Sequence, residues 1–404
     1  MKTLYTIGIY IYGALTALAA VFNKKARKLF FGQRKALSVL KQKASPNKQY
    51  IWIHAASLGE FEQGRPVIEA IKAENPEKSI LLTFYSPSGY EVKKDYKGAD
   101  IVSYLPLDTP RATRNFLNTV NISQAIFIKY DFWPNFLFAL RKAGIPTYIV
   151  SAIFRPGQAF FKTYGKWYLN LLKTFNHIFV QNNTSAELLK EYGITQVTVT
   201  GDTRFDRVAA QAKLAKEFPL IEQFIDGKPV IVAGSTWQKD EALLTCYLNK
   251  HKDVKLILVP HEVYKAHLYD IFKMLKGDYI RYSEATTTSI KTSNCLVLDT
   301  VGMLSSVYRY ATVAYIGGGF GAGIHNILEA AVYSVPVVFG PNYQKFREAK
   351  QLIKLGGGFS ICNYSELEST LSALLKNNKT AGKIAGDYVR NNTGATREII
   401  KHME

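Results

Sequence analysis

The chain has 404 residues, with 51 Lys+Arg against 32 Asp+Glu, a formal charge of +19. Its 47% hydrophobic and 21% charged residues exclude a disordered chain, and the length suits two domains that each bury a core. Three scattered cysteines (Cys246, Cys295, Cys362), with no CxxC and no HExxH, exclude a disulfide scaffold and a zinc enzyme.

The chain opens on Leu4–Phe22, an uncharged run of 19 residues. As a helix this run is long enough to cross a bilayer, and Tyr5, Tyr10 and Tyr12 suit its interface. Asn23 to Lys48 follows with nine Lys and Arg and no acid. A cleaved signal peptide fits poorly, because only Lys2 precedes the apolar run and no A-x-A site follows. A buried core helix is the alternative to an anchor that spans or dips into one leaflet. The basic segment favours membrane association, with the globular part on the cytoplasmic face of the inner membrane and drawn to anionic lipid. No helix-turn-helix, zinc-finger or ribonucleoprotein motif accompanies the charge, so no nucleic-acid partner is expected.

Strands and helices then alternate. The predicted strands are 50–54, 80–84, 101–105, 125–128, 147–151, 177–181 and 197–200. A second set follows at 229–233, 255–260, 279–282, 295–299, 313–317, 336–339 and 358–361. Alternation of this kind predicts an α/β protein with two doubly wound, Rossmann-like domains facing a cleft. The expected layout is an anchor and basic segment over 1–34, domains over 35–206 and 207–386, and a C-terminal helix over 387–404. The join falls in Asp206–Lys228, read as a helix and linker.

Ligands of such sheets bind beyond the carboxyl ends of the strands, so motifs there are the candidates. In His54-Ala55-Ala56-Ser57-Leu58-Gly59-Glu60 the glutamate is placed to act as a base, or Ser57-x-x-Glu60 is a helix capping box. Lys129-Tyr130-Asp131-Phe132-Trp133-Pro134 ends another strand, with Pro134 suited to a first helical turn. In Gly201-Asp202-Thr203-Arg204-Phe205-Asp206, Arg204 either meets an anion or pairs with Asp206 on the surface. Gly234-Ser235-Thr236-Trp237-Gln238 reads as a phosphate loop whose Ser235-x-x-Gln238 also fits a cap. Pro260-His261-Glu262 ends a further strand. Gly317–Glu329 holds five glycines before a predicted helix, a pattern for close approach of backbone to a nucleotide phosphate, with Glu329 able to accept ribose hydroxyls. It is no P-loop, and it lacks the acid that an NAD-binding strand requires.

Taken in order, these motifs, together with Leu105-Pro106-Leu107-Asp108, Phe132-Trp133-Pro134-Asn135 and Asp299-Thr300-Val301-Gly302, resemble the 3-deoxy-D-manno-octulosonic acid (Kdo) transferases of lipopolysaccharide synthesis. The resemblance implies a GT-B architecture and inverting transfer of Kdo from CMP-Kdo to the tetraacyl disaccharide precursor of lipid A, without a cofactor or metal. It implies Glu60 as general base, with Asp131 and Arg204 as further catalytic residues. It puts Ser235, Thr236, Pro260, His261, Val301, Gly302, Met303, Gly318, Gly319, Asn326, Ile327, Leu328 and Glu329 at donor-binding positions. Lys129 and Asp131 stand where the family has two glutamates, Arg204 where it has lysine, and Met303 where it has glutamate. The competing classes are a nucleotide-sugar epimerase or another nucleotide-sugar glycosyltransferase of the same fold, an NAD-linked oxidoreductase, and a non-catalytic membrane scaffold.

Overall fold

The computed structural model describes residues 1–162 and 165–403. Its strands are β1 (Tyr50–Ala55), β2 (Ser79–Phe84), β3 (Ile101–Tyr104), β4 (Ile122–Ile128), β5 (Thr147–Ala152), β6 (His177–Val180) and β7 (Val197–Val199). After them come β8 (Val230–Thr236), β9 (Lys255–Pro260), β10 (Tyr279–Arg281), β11 (Cys295–Val297), β12 (Val313–Ile316), β13 (Val337–Phe339) and β14 (Gly358–Ser360). Each of these lies on one of the predicted runs. The two parallel seven-stranded sheets have the orders β3-β2-β1-β4-β5-β6-β7 and β10-β11-β9-β8-β12-β13-β14. Strand order reverses between β1 and β4 in the first and between β8 and β12 in the second, the points where open α/β sheets leave a crevice.

The chain forms two compact units, 1–207 with 393–404, and 208–392. In the first sheet, both faces are covered. Trp52 packs with Phe116, Phe127 and Phe136 on one side, while Ile51 and Ile53 pack with Phe61, Phe84 and Ile399 on the other. Continuous apolar strands are what parallel sheets buried on both faces require. The second unit has its own core around Val297, Tyr315, Tyr247 and Leu371.

The C-terminal stretch read as one helix over 387–404 is two, Lys379–Asn391 and Ala395–Met403, separated at Gly394 with φ +111°; Glu404 lies outside the described residues. The second of these helices belongs to the first unit, where Ile399 and Ile400 are buried and Asp206 accepts the Thr396 N–H at 2.7 Å.

The apolar run forms a helix, Lys2–Phe22, and the basic segment a second, Lys24–Lys43. The first helix is long and apolar enough to cross a membrane, by length and composition. One side of it is held by the first unit. Tyr5 donates to Asp108 at 2.7 Å, Tyr85 donates to Tyr12, and a Cβ at Gly13 would lie 2.7 Å from Leu107. The other side leaves Leu4, Ile7, Ile11, Leu15 and Leu18 exposed. Asp108 also accepts the N–H groups of Asn135 and Phe136, so one buried carboxylate ties this helix to the start of the helix Pro134–Lys142.

Candidate active site

The crevice beside β1 and β4 gathers the first group of candidates. Ser57 ends the turn after β1 and caps the helix Leu58–Glu74; its Oγ accepts the Glu60 N–H at 3.5 Å, and Glu60 Oε2 accepts the Ser57 N–H at 3.0 Å. The capping box is therefore present, and the same carboxylate stands at the strand's carboxyl end. After β4 the backbone turns at Lys129, whose φ of +66° is in the left-handed region. This turn sets Asp131 against the Ala56 backbone and 3.4 Å from His54 Nε2.

His54 is fully buried. Trp133 Nε1 lies 3.0 Å from its Nε2, and Thr83 Oγ1 lies 2.8 Å from Nδ1 while also accepting from Trp52 Nε1. An indole only donates, so Nε2 accepts and the ring proton sits on Nδ1. Burial drives His54 down to about 3, so the ring is neutral and gives Asp131 no countercharge. Burial first, then the Glu60 charge, hold the Asp131 pKa well above the usual carboxylate range. Burial also raises Glu60, while the positive charge of Lys129 and hydrogen bonds from Ser57 pull it back. Two neighbouring carboxyl groups are thus differentiated: Asp131 is pushed the further toward its neutral form, and Glu60, beside Lys129, is the better suited to ionise.

Arg204 follows β7. Its Nε and Nη2 lie 2.9 and 2.8 Å from Asp202 Oδ2, and Gln63 Nε2 donates to Asp202 Oδ1. Burial would raise the Asp202 pKa, but the Arg204 guanidinium outweighs it and the carboxyl lies below its ordinary value. The Arg204–Asp206 surface pair considered from the sequence does not form. Asp202 is the buried acid that requires the cation, whereas Asp206 turns to the backbone of Gly394 and Thr396. Tyr130 has its pKa raised by burial, and it feels the charges of Arg155, Glu60, Asp202 and Arg204. Arg155 carried no motif in the sequence; only the fold brings it here.

In the second unit, β8 ends in Ser235 (φ +54°) and Thr236, and the next helix starts at Gln238. The expected Ser235-x-x-Gln238 cap is replaced by Asp240, which accepts the Trp237 N–H at 3.0 Å. Ser235 is the bend before the helix, two residues too early to cap it. Asp240 also accepts from Gly318 N–H at 2.9 Å and Tyr315 Oη at 2.7 Å, tying the glycine loop to this helix. Thr236 is buried and donates to Glu241, whose other oxygen lies 2.8 Å from His267 Nε2.

Pro260 ends β9, and the His261 ring stacks between Trp237 (4.8 Å) and His325 (4.5 Å). Gly318 has φ +89°, a conformation that the absence of a Cβ allows. A Cβ on Gly319 would lie 2.6 Å from the Gly340 backbone, so this glycine serves close packing within the protein, where the sequence suggested ligand approach. The helix predicted over 327–333 is a single turn, Leu328–Ala331. It carries little dipole, and the Leu328 N–H is taken by Asn326 Oδ1. Asn326 Nδ2 donates to Glu329 Oε1 at 3.0 Å, bringing those two candidates together. The side chains of Ile327 and Leu328 are core, and the Leu328 N–H is already bonded, so Leu328 serves packing. Val301 is 92% exposed, Gly302 has φ +92°, and Met303 Sδ accepts from Thr300 Oγ1. Among the described residues, no group of three or more His, Cys, Asp or Glu is placed to hold a metal ion.

Residues 30–207 match the family model described as 3-deoxy-D-manno-octulosonic-acid transferase. The 3-deoxy-D-manno-octulosonic acid transferase of Haemophilus influenzae is 28% identical over 374 residues, covering 88% of this chain and 86% of the relative. That of Aquifex aeolicus is 28% identical over 349 residues, covering 81% of this chain and 86% of the relative. A solved structure of UDP-GlcNAc 2-epimerase from Neisseria meningitidis, bound to UDP-GlcNAc, superposes with a TM-score of 0.60 at 14% identity, over 88% of this chain and 99% of that one. The fold is of the GT-B kind, and the protein is a glycosyltransferase. More narrowly, residues 30–207 match the Kdo transferase model, and the two Kdo transferases named above are similar over most of the chain.

Proposed function

We propose that the chain transfers Kdo from CMP-Kdo to the tetraacyl disaccharide precursor of lipid A, with inversion at the anomeric carbon. The observation that carries this reading is the paired but unequal carboxyls of Glu60 and Asp131 beside Lys129, at the switch point of the sheet whose residues match the family. Glu60 takes the proton of an acceptor hydroxyl. The hydroxyl oxygen bonds to the anomeric carbon, and the CMP phosphate leaves with the electrons of the broken C–O bond. Asp131, whose pKa burial and Glu60 raise, disfavours a second negative charge in the crevice. Arg204 is clamped on Asp202, so its contribution is a fixed positive field. In the second unit the backbone at Ser235–Thr236 and the imidazole of His261 hold the donor phosphate, beside a glycine loop that Gly318 ties to Asp240. The backbone of Val301, Gly302, Met303 and Ile327, with the Asn326–Glu329 pair, holds the nucleoside.

The same reading puts the protein on the cytoplasmic face of the inner membrane. With one side of the helix Lys2–Phe22 fastened to the first unit, its exposed Leu4, Ile11, Leu15 and Leu18 favour a dip into one leaflet over a span. The basic helix Lys24–Lys43 then faces anionic headgroups. Incubation of the full chain with CMP-Kdo, with and without the lipid A precursor, tests the assignment. Acceptor-dependent release of CMP and a Kdo-bearing lipid are expected. Release of CMP without acceptor alone, or epimerisation of a UDP-sugar with no transfer, would overturn it.

A further inference from the structure

A cavity of about 490 Å³ opens in the second unit between the start of the helix Gln238–Lys250 and the glycine loop after β12. Its walls include Trp237, Lys239, Phe320 and His325, over a floor of Gly318 and Gly321. It lies at the carboxyl ends of β8 and β12, the switch point of this sheet. Trp237 is 40% exposed, and its indole is fixed twice, by stacking on His261 and by donating to His325 Nε2 at 3.3 Å. An aromatic face held rigidly beside a backbone loop suits the C–H face of a sugar ring better than a mobile side chain would.

The charges of the cavity are uneven. Asp240 lines it, but its two oxygens are occupied by the Tyr315 hydroxyl and the N–H groups of Gly318 and Trp237. Burial moves this carboxyl above its ordinary value, against the pull of those hydrogen bonds. Lys239 is exposed beside it, and among the described residues no ion pair engages its ammonium. The cavity thus combines an aromatic wall, a largely apolar lining and one available cation, which is complementary to the apolar face of a sugar bearing a carboxylate.

We propose that this cavity is the donor-sugar subsite, with Lys239 pairing the sugar carboxylate and Trp237 covering the ring. The proposal rests on the donor assigned above and adds what would distinguish an acidic sugar from a neutral one. The stack Trp237–His261–His325 joins the subsite to Pro260–His261, so sugar and nucleotide are read on either side of one aromatic ladder.

The test compares the full chain with its Lys239→Ala, Trp237→Ala and Trp237→Phe variants, each assayed for the KM of CMP-Kdo and for inhibition by free CMP. Lys239→Ala and Trp237→Ala are expected to raise the KM about tenfold or more, with inhibition by CMP within twofold of the parent. Trp237→Phe, which keeps an aromatic face, should retain most of the affinity. Equal weakening of CMP and CMP-Kdo, or no change in either, would overturn the subsite while leaving the activity assigned. A parent chain that releases no CMP from CMP-Kdo would overturn both.

Discussion

Replacing Glu60 separates two jobs that one carboxylate performs. As the third residue of its helix it accepts the Ser57 N–H at 3.0 Å, and as the assigned base it takes a proton. Glutamine keeps an oxygen acceptor at the cap position, so Glu60→Gln should change unfolding free energy by less than about 0.5 kcal/mol. Alanine loses the reciprocal bond and should cost about 1 kcal/mol. Neither can accept a proton at neutral pH, so both should slow acceptor-dependent CMP release by roughly 10²–10⁴-fold. The pH profile provides an independent check. Lys129 holds the Glu60 pKa down against burial, and the base works only when deprotonated. Lys129→Met removes that restraint, so the acidic limb of the rate profile should move to higher pH. Urea melts of the two Glu60 variants and CMP release from pH 4 to 8 supply the measurements. Retained turnover in Glu60→Gln, or a limb that stays put or moves to lower pH in Lys129→Met, would refute the reasoning.

Two further outcomes follow from buried acids. The Asp131 pKa is raised in the folded chain by burial and by Glu60, so the folded state binds the extra proton and stability falls as pH rises from about 4 through the folded pKa. Asp131→Asn should therefore be more stable than the parent at pH 7.5, with the gain shrinking at pH 4.5; urea midpoints at both values check this, and a gain that grows on acidification contradicts it. Asp206→Ala removes the acceptor for the Gly394 and Thr396 N–H groups and the Thr396 hydroxyl. It should cost about 1–2 kcal/mol and speed hydrogen exchange in 395–403 before any other helix; unchanged exchange there would show that the cap does not hold the segment.

Both sheets were legible because parallel strands buried on two faces are near-continuous apolar runs, and all fourteen runs became strands. Glu60, Lys129 and Asp131 were legible for a related reason: residues just past such runs fall at the carboxyl ends of strands. The errors came where local pattern and tertiary contact disagree. Ser235-x-x-Gln238 satisfies a capping pattern, yet the bend at Ser235 delays the helix and gives the cap to Asp240. The glycines of 317–323 read as room for a ligand, although Gly319 is required by the Gly340 backbone. Arg204 had two acids at equal spacing, and only burial, invisible in sequence, decides for Asp202. Trp237 stood inside the Gly234–Gln238 motif without a role of its own, and Lys239 lay just outside it.

The first unit is discontinuous in the chain, because Ala395–Met403 supplies Ile399 and Ile400 to a core otherwise built from residues before 208. During synthesis that core is complete only once residues 395–403 have cleared the ribosome. A nascent chain carries an unfinished apolar face until then, while the apolar N-terminal helix has long since emerged.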